Sequence, residues 1–249
     1  MTIARMNFRS HSLDKATSIT IYLPENMTRH SPVIYLLHGY SDDCNTWLDR
    51  TSLARFAEDY PFVIIMPQVE LSYYTDMVSG SDYWEYLTQE LPKKIHEWFG
   101  LASPANNTFV AGISMGGYGA FKWGMSFPEQ VRAVASLSGA LDVLSLWKRD
   151  ASRNKVFGLA FGNKVRLSKS SDNLFQLFST QLGEASAPYF LQICGTEDFL
   201  YQDNQTFRSK AAQTLAHYSY EEHAGGHTWD FWNQVIQRVL AYFSALNQA

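Results

Sequence analysis

Short apolar runs bounded by Pro, Gly and polar residues recur along the chain, and the segments between them carry helical spacing. The runs predict strands near Ile19–Leu23, Val33–Leu37, Phe62–Met66, Thr108–Ala111, Ala133–Leu137, Tyr189–Ile193 and Tyr218–Glu221. Several are too continuously apolar for a sheet with one wet face, so they fit a mostly parallel sheet covered by helices on both faces. Trp84, Leu87, Leu91, Ile95 and Trp98 step by three or four and predict a helix that Pro92 should bend. A helix from Met115 to Phe127 should end before Pro128, and Trp232, Val235, Ile236, Val239, Leu240 and Phe243 form the stripe that docks a last helix. From Ala140 to Ala187 the rhythm breaks: there is no clear strand, but Trp147, Phe157, Phe161, Phe175 and Phe178 occur among seven Lys and Arg residues. A connection that long is expected to be a short helical, lid-like insertion over a pocket. With no repeat or linker, residues 1–249 are expected to form one domain.

The 249 residues, 46% hydrophobic and 18% charged, suffice for a large buried core and exclude disorder, collagen and coiled coil. A net charge of −4 provides no electrostatic footprint for nucleic acid or an anionic membrane. Cys44 and Cys194 are too few for a disulfide framework or a thiolate zinc site and read as buried thiols. No H-E-x-x-H or other ligand cluster occurs, so no metal is expected. The N-terminal segment lacks a signal-length apolar run and no stretch nears the roughly 20 residues of a membrane span, so a cytoplasmic location is expected.

The sharpest chemical signal is Gly112-Ile113-Ser114-Met115-Gly116, a G-x-S-x-G pattern. So short a pattern carries a real risk of a chance match, and its setting decides its weight. It follows the apolar strand ending at Ala111 and opens a helix rich in small residues, the strand, sharp turn and helix that expose a nucleophilic serine. Glycines permit the tight turn, and the helix N-terminus adds positive potential where an oxyanion would form. A serine in this architecture takes its carboxylate and then its histidine from later in the chain. After Ser114 the histidines are His217, His223 and His227. His227 is favoured because it lies in the glycine-flexed loop Ala224–Trp229 beyond the last strand. A glycine turn at Gly195 after the strand Tyr189–Ile193 delivers Glu197 and Asp198 to the sheet's C-terminal edge, and Asp198 is favoured over Glu197 and Asp203 as the carboxylate. The Met115 N–H is the natural oxyanion donor, with Tyr40 as the second, supplied by the turn at Gly39 after Leu36-Leu37-His38. His38 precedes the serine and is expected to pack beneath the site.

Leu37-His38-Gly39, Gly112–Ala120, Gly195-Thr196-Glu197-Asp198 and Gly225-Gly226-His227-Thr228-Trp229, with Tyr73-Tyr74-Thr75-Asp76, Tyr83-Trp84 and Glu90-Leu91-Pro92, occur here in one order along nearly the whole chain. In them the chain resembles the esterase D family of α/β-hydrolases, particularly its bacterial tributyrin esterase branch. The resemblance implies an α/β-hydrolase fold and a carboxylesterase acting on short acyl esters, with Ser114, Asp198 and His227 as a catalytic triad and no cofactor. It also implies a small-molecule partner and a possible homodimer or homotetramer. The same family holds S-formylglutathione hydrolases, feruloyl and acetylxylan esterases and mycolyltransferases, so a thioesterase or an acyltransferase are rival readings. A non-catalytic binding module on the same fold is a rival of another class. Trp147, Phe157 and Phe161 are the expected substrate-pocket residues, because the insertion is long, aromatic and follows a sheet strand.

Overall fold

A computed structural model describes residues 1–101, 104–180 and 187–248. All seven expected strands are present, and an eighth precedes them. The strands are β1 (Thr2–Ser10), β2 (Lys15–Leu23), β3 (Val33–Leu37), β4 (Val63–Pro67), β5 (Thr108–Ile113), β6 (Ala133–Leu137), β7 (Tyr189–Gly195) and β8 (His217–His223). They form one sheet in the order β1-β2-β4-β3-β5-β6-β7-β8. The β1–β2 and β2–β4 pairs are antiparallel. All others are parallel. With helices on both faces this is the α/β-hydrolase fold.

Because successive strand residues face opposite sides, the central strands feed two cores. In β3, Val33, Tyr35 and Leu37 join the core that contains Tyr118, Phe121 and Trp123 of the helix Met115–Ser126. Ile34 and Leu36 join the other, closed by Trp232, Val235, Ile236, Val239, Leu240 and Phe243 of the helix Trp229–Asn247. That C-terminal stripe is buried as its spacing requires. The helix expected around Trp84–Trp98 is interrupted: Tyr83–Glu85 runs into a π-turn at Tyr86–Glu90 and then the α-helix Leu91–Phe99. The Pro92 ring cannot share an α-turn with the carbonyl four residues earlier, and the wider π-turn relieves that conflict. Leu87, Leu91 and Ile95 are buried, whereas Trp98 is exposed and packs edge-on to Phe8 of β1.

The insertion after β6 is helical, with Val143–Arg149, Asn154–Phe161, Lys164–Lys169 and Leu174–Leu177. Asp142, Asn163 and Asn173 cap three of these helices through their side chains. Residues 181–186 of the expected insertion lie outside the described residues. The insertion sits on the helix Met115–Ser126 through buried polar groups: Lys122 Nζ lies 2.8 Å from Asp172 Oδ1, and the Tyr118 hydroxyl donates to the Asp172 carbonyl at 2.7 Å.

Candidate active site

The expected nucleophile stands at the junction of β5 and the helix Met115–Ser126. Ser114 has φ 52° and ψ −113°, a region that a non-glycine residue enters only under constraint. Three backbone hydrogen bonds hold it there: Ser114 N–H donates to Leu137 at 2.9 Å, and its carbonyl accepts from Tyr118 at 3.1 Å and Ala140 at 2.9 Å. The flanking glycines are required by crowding. A Cβ on Gly116 would sit 2.4 Å from the Leu37 carbonyl oxygen, and one on Gly112 would sit 2.5 Å from the Gly116 carbonyl. The turn can close only where side chains are absent.

Two loops beyond the sheet's C-terminal edge bring the other groups in. The Asp198 loop follows β7 and the His227 loop follows β8, its parallel neighbour. Thr196 N–H donates to His223 at 2.9 Å and Glu197 N–H to Gly225 at 3.0 Å, tying one loop to the other. As a result His227 Nε2 lies 3.0 Å from Ser114 Oγ, while Nδ1 lies 2.8 Å from Asp198 Oδ2 and 3.0 Å from Oδ1. A carboxylate can only accept, so the hydrogen belongs on Nδ1 and the Nε2 lone pair faces the serine. The Asp198 side chain is completely buried, and its Oδ1 also accepts the Leu200 N–H at 2.8 Å. His227 stands between two rings, Phe199 at 4.6 Å and Trp232 at 4.9 Å. These contacts limit the imidazole to one orientation.

The alternatives lie elsewhere. Glu197 is exposed, and Asp203 is paired with Arg149. His223 is exposed and faces Glu221, and His217 stacks on Tyr189. His38 is buried below the loop after β3. Its Nδ1 lies 2.8 Å from the Gly39 carbonyl and its Nε2 accepts the Val69 N–H, while burial depresses its basicity. Both ring nitrogens are therefore used in shaping the loop. Cys44 and Cys194 are free, buried thiols, and burial pushes both pKa values up.

Ser114 and His227 open into a cleft of about 340 Å³ whose walls include Gly39, Tyr40, Asp42, Arg153, Phe199, Trp229 and Trp232. The Tyr40 N–H has no hydrogen-bond partner among the described residues. That of Met115, first in its helix, has no acceptor within the helix. Burial raises the Asp42 carboxyl pKa, although the Gly39 backbone beside it pulls the other way. The expected pocket residues Trp147, Phe157 and Phe161 do not line the cleft. They are 4%, 0% and 0% exposed; Phe157 and Phe161 pack on Tyr73, with the Tyr73 and Phe157 centroids 4.7 Å apart, and Trp147 packs on both of them. An insertion of short helices needs a core of its own to be ordered, and these rings supply it. Of the other wall residues, Trp229 ends the His227 motif, whereas Asp42, Arg153 and Phe199 carry no local sequence signal that points to a site. Trp232 belongs by its spacing to a core stripe, and its place on the cleft wall emerges only in the fold.

The family described as putative esterase matches residues 10–243. The chain belongs to this esterase family. Similar proteins include an acetyl esterase of Caldicellulosiruptor saccharolyticus, 27% identical over 99% of this chain and 100% of its own. Among solved structures, the esterase is similar to FphF, a fluorophosphonate-binding serine hydrolase of Staphylococcus aureus. The TM-score is 0.89 at 27% identity, covering 98% of each chain. It is also similar to the S-formylglutathione hydrolase FrmB of the same organism, with a TM-score of 0.86 at 28% identity over 98% of this chain and 100% of that one. The chain is a carboxylic ester hydrolase of the serine type. Among the described residues, no helix is long and apolar enough to cross a membrane.

Proposed function

We propose that the esterase hydrolyses short-chain acyl esters of small molecules, in the manner of the tributyrin esterase branch of the esterase D family, through a Ser114–His227–Asp198 triad. The observation that carries the proposal is the continuous contact from Ser114 Oγ through His227 to Asp198, at 3.0 Å and 2.8 Å. Ser114 Oγ attacks the ester carbonyl as its proton passes to His227 Nε2, and Asp198 stabilises the imidazolium through Nδ1–H. The carbonyl oxygen, now an anion, is held by the Tyr40 and Met115 amides, where one lost donor costs about 3 kcal/mol of transition-state stabilisation. The alkoxide leaves with the His227 proton. Water then attacks the acyl-serine by the same route, giving the acid and the free enzyme.

The modest cleft suits a small acyl group, and the acetyl esterase relative points the same way. A thioesterase is the second reading, favoured by the 28% identity with an S-formylglutathione hydrolase. Both readings use the same nucleophile, so the first test is covalent: a fluorophosphonate should label Ser114 alone, and Ser114→Ala should remove both labelling and turnover while leaving the fold intact. Labelling at another serine, or a fully active Ser114→Ala, would overturn the assignment. Rates on 4-nitrophenyl esters of increasing acyl length beside S-formylglutathione then separate ester from thioester preference.

A further inference from the structure

Arg153 is the cationic side chain among the cleft walls that hold Ser114 and His227. It ends the short turn Ala151–Arg153 in the insertion, and its side chain is 17% exposed. Its head group is held from several sides: Nε donates to Asp150 Oδ2 at 3.0 Å and Nη1 to the Tyr73 hydroxyl at 3.2 Å. The guanidinium carbon lies 5.1 Å from the centre of the Tyr40 ring and 5.9 Å from that of Phe157. Tyr73 is itself packed edge-on against Phe157 and Phe161, so the hydroxyl that receives Nη1 is set in a rigid cluster. Nη2 has no hydrogen-bond partner among the described residues. A guanidinium fixed on two sides and unpaired at its remaining nitrogen presents a ready donor to an acceptor in the cleft.

We propose that Arg153 forms an anion subsite beside Ser114, and that the preferred substrate is an ester bearing a carboxylate on either its acyl or its alcohol part. The inference rests on the esterase reading above. Asp150 and Asp42 offset the cationic charge near the cleft, and the whole chain carries −4. Attraction over a distance is therefore weak. The preference comes from a short charge-assisted hydrogen bond to Nη2, formed once the substrate is seated, and it acts on KM more than on association rate.

The test compares matched esters. On the acyl side, 4-nitrophenyl hydrogen succinate is set against 4-nitrophenyl methyl succinate; on the alcohol side, 4-acetoxybenzoate against methyl 4-acetoxybenzoate. For each pair the ratio of kcat/KM, charged over neutral, is measured in wild type, Arg153→Gln and Arg153→Lys. Taking each variant's ratio against the wild-type ratio cancels the intrinsic reactivity of the esters. In Arg153→Gln the ratio should fall about 10- to 100-fold in one pair, mainly through KM, and Arg153→Lys should recover part of it. The pair that responds identifies which side of the substrate carries the carboxylate. Should the Gln variant not fold, competitive inhibition by succinate in wild type and Arg153→Lys decides the same question: weaker inhibition in the Lys variant supports the subsite, and equal inhibition overturns it. Unchanged ratios in both pairs overturn the subsite, since a fall shared by charged and neutral esters would mean that Arg153 only positions Tyr40. Failure of fluorophosphonate to label Ser114 overturns the esterase reading and the subsite with it. Labelling with unchanged ratios overturns the subsite alone.

Discussion

Replacing Asp198 with asparagine removes one charge and exchanges an oxygen for an amide, and the surroundings of the carboxylate decide how that exchange is felt by the histidine. Oδ1 accepts the Leu200 N–H at 2.8 Å, so the amide oxygen of an asparagine is drawn to that position. The NH2 group then occupies the place of Oδ2, 2.8 Å from His227 Nδ1. A donor there requires Nδ1 to accept, which moves the imidazole hydrogen to Nε2, pointing at Ser114 Oγ 3.0 Å away. The base becomes a donor, and the imidazolium loses its buried counter-charge. The expected loss in kcat at neutral pH is about 10⁴-fold, or about 5.4 kcal/mol at 1.36 kcal/mol per factor of ten. KM should change far less, because Asp198 is completely buried and does not line the cleft. Steady-state rates on a 4-nitrophenyl ester, with circular dichroism as the folding check, measure both. Glu197→Gln and Asp203→Asn serve as comparisons, since one acid is exposed and the other is engaged by Arg149. A near-wild-type Asp198→Asn, or a larger loss from either comparison, would refute the tautomer argument and place the orienting carboxylate elsewhere.

Phe157→Ala should act on stability first, costing about 3–5 kcal/mol in urea unfolding, because the ring is fully buried against Tyr73, Trp147 and Phe161. A change in ester preference with an unchanged unfolding midpoint would return this ring to the substrate pocket. Gly116→Ala puts a methyl 2.4 Å from the Leu37 carbonyl and should cost about 1–3 kcal/mol along with most of the activity, measured by unfolding and by turnover of the folded fraction. Stability should also fall in acid. Burial alone would raise the Asp172 pKa, but Lys122, Thr75 and Arg166 hold it below the ordinary carboxylate value. A lowered folded-state pKa stabilises the fold above about pH 4, and that contribution is lost as pH falls through the folded value. Unfolding free energies at pH 6 and pH 3 should therefore differ less in Asp172→Asn than in wild type, whereas an identical difference would show that the pair does not contribute.

The geometry of the candidate triad is legible in the sequence because each group depends on local chain chemistry. Ser114 needs the glycines at 112 and 116 and the strand before them, and Asp198 and His227 need glycine turns just beyond strand ends. Beyond Gly39, Tyr40 and Trp229 the cleft walls are not legible, because they form where distant segments meet. In the sequence Arg153 is one of seven cations on a solvated surface; only the fold brings its guanidinium over Tyr40. The aromatic residues of the insertion mislead for a related reason, as a run of rings is equally consistent with a pocket and with a local core. Strand β1 escapes the apolar-run criterion although its alternation is visible. Arg5, Asn7 and Arg9 are exposed while Met6 and Phe8 are half-buried, a polar edge pattern without the apolar run that marks the central strands.

The insertion and the nucleophile are not independent. Tyr118 and Lys122 lie one turn apart on one face of the helix that begins just after Ser114, and both bond Asp172, one to its backbone and one to its side chain. At 1.5 Å per residue, Lys122 is about 12 Å along the axis from Ser114. The Lys122 and Asp172 side chains are 2% and 9% exposed, and parting them would leave two charges without partners in the interior, at a cost of about 3–5 kcal/mol. The insertion is thus held against the same helix that positions the nucleophile, which makes it a fixed wall at rest. Arg153 is tied to that helix through Tyr73, whose hydroxyl accepts from Nη1 at 3.2 Å and whose ring packs edge-on against Tyr118. That is the condition under which a single guanidinium can select among substrates: a donor on a wandering lid would meet charged and neutral esters alike, whereas one held against the nucleophile's own helix meets each bound ester at the same place.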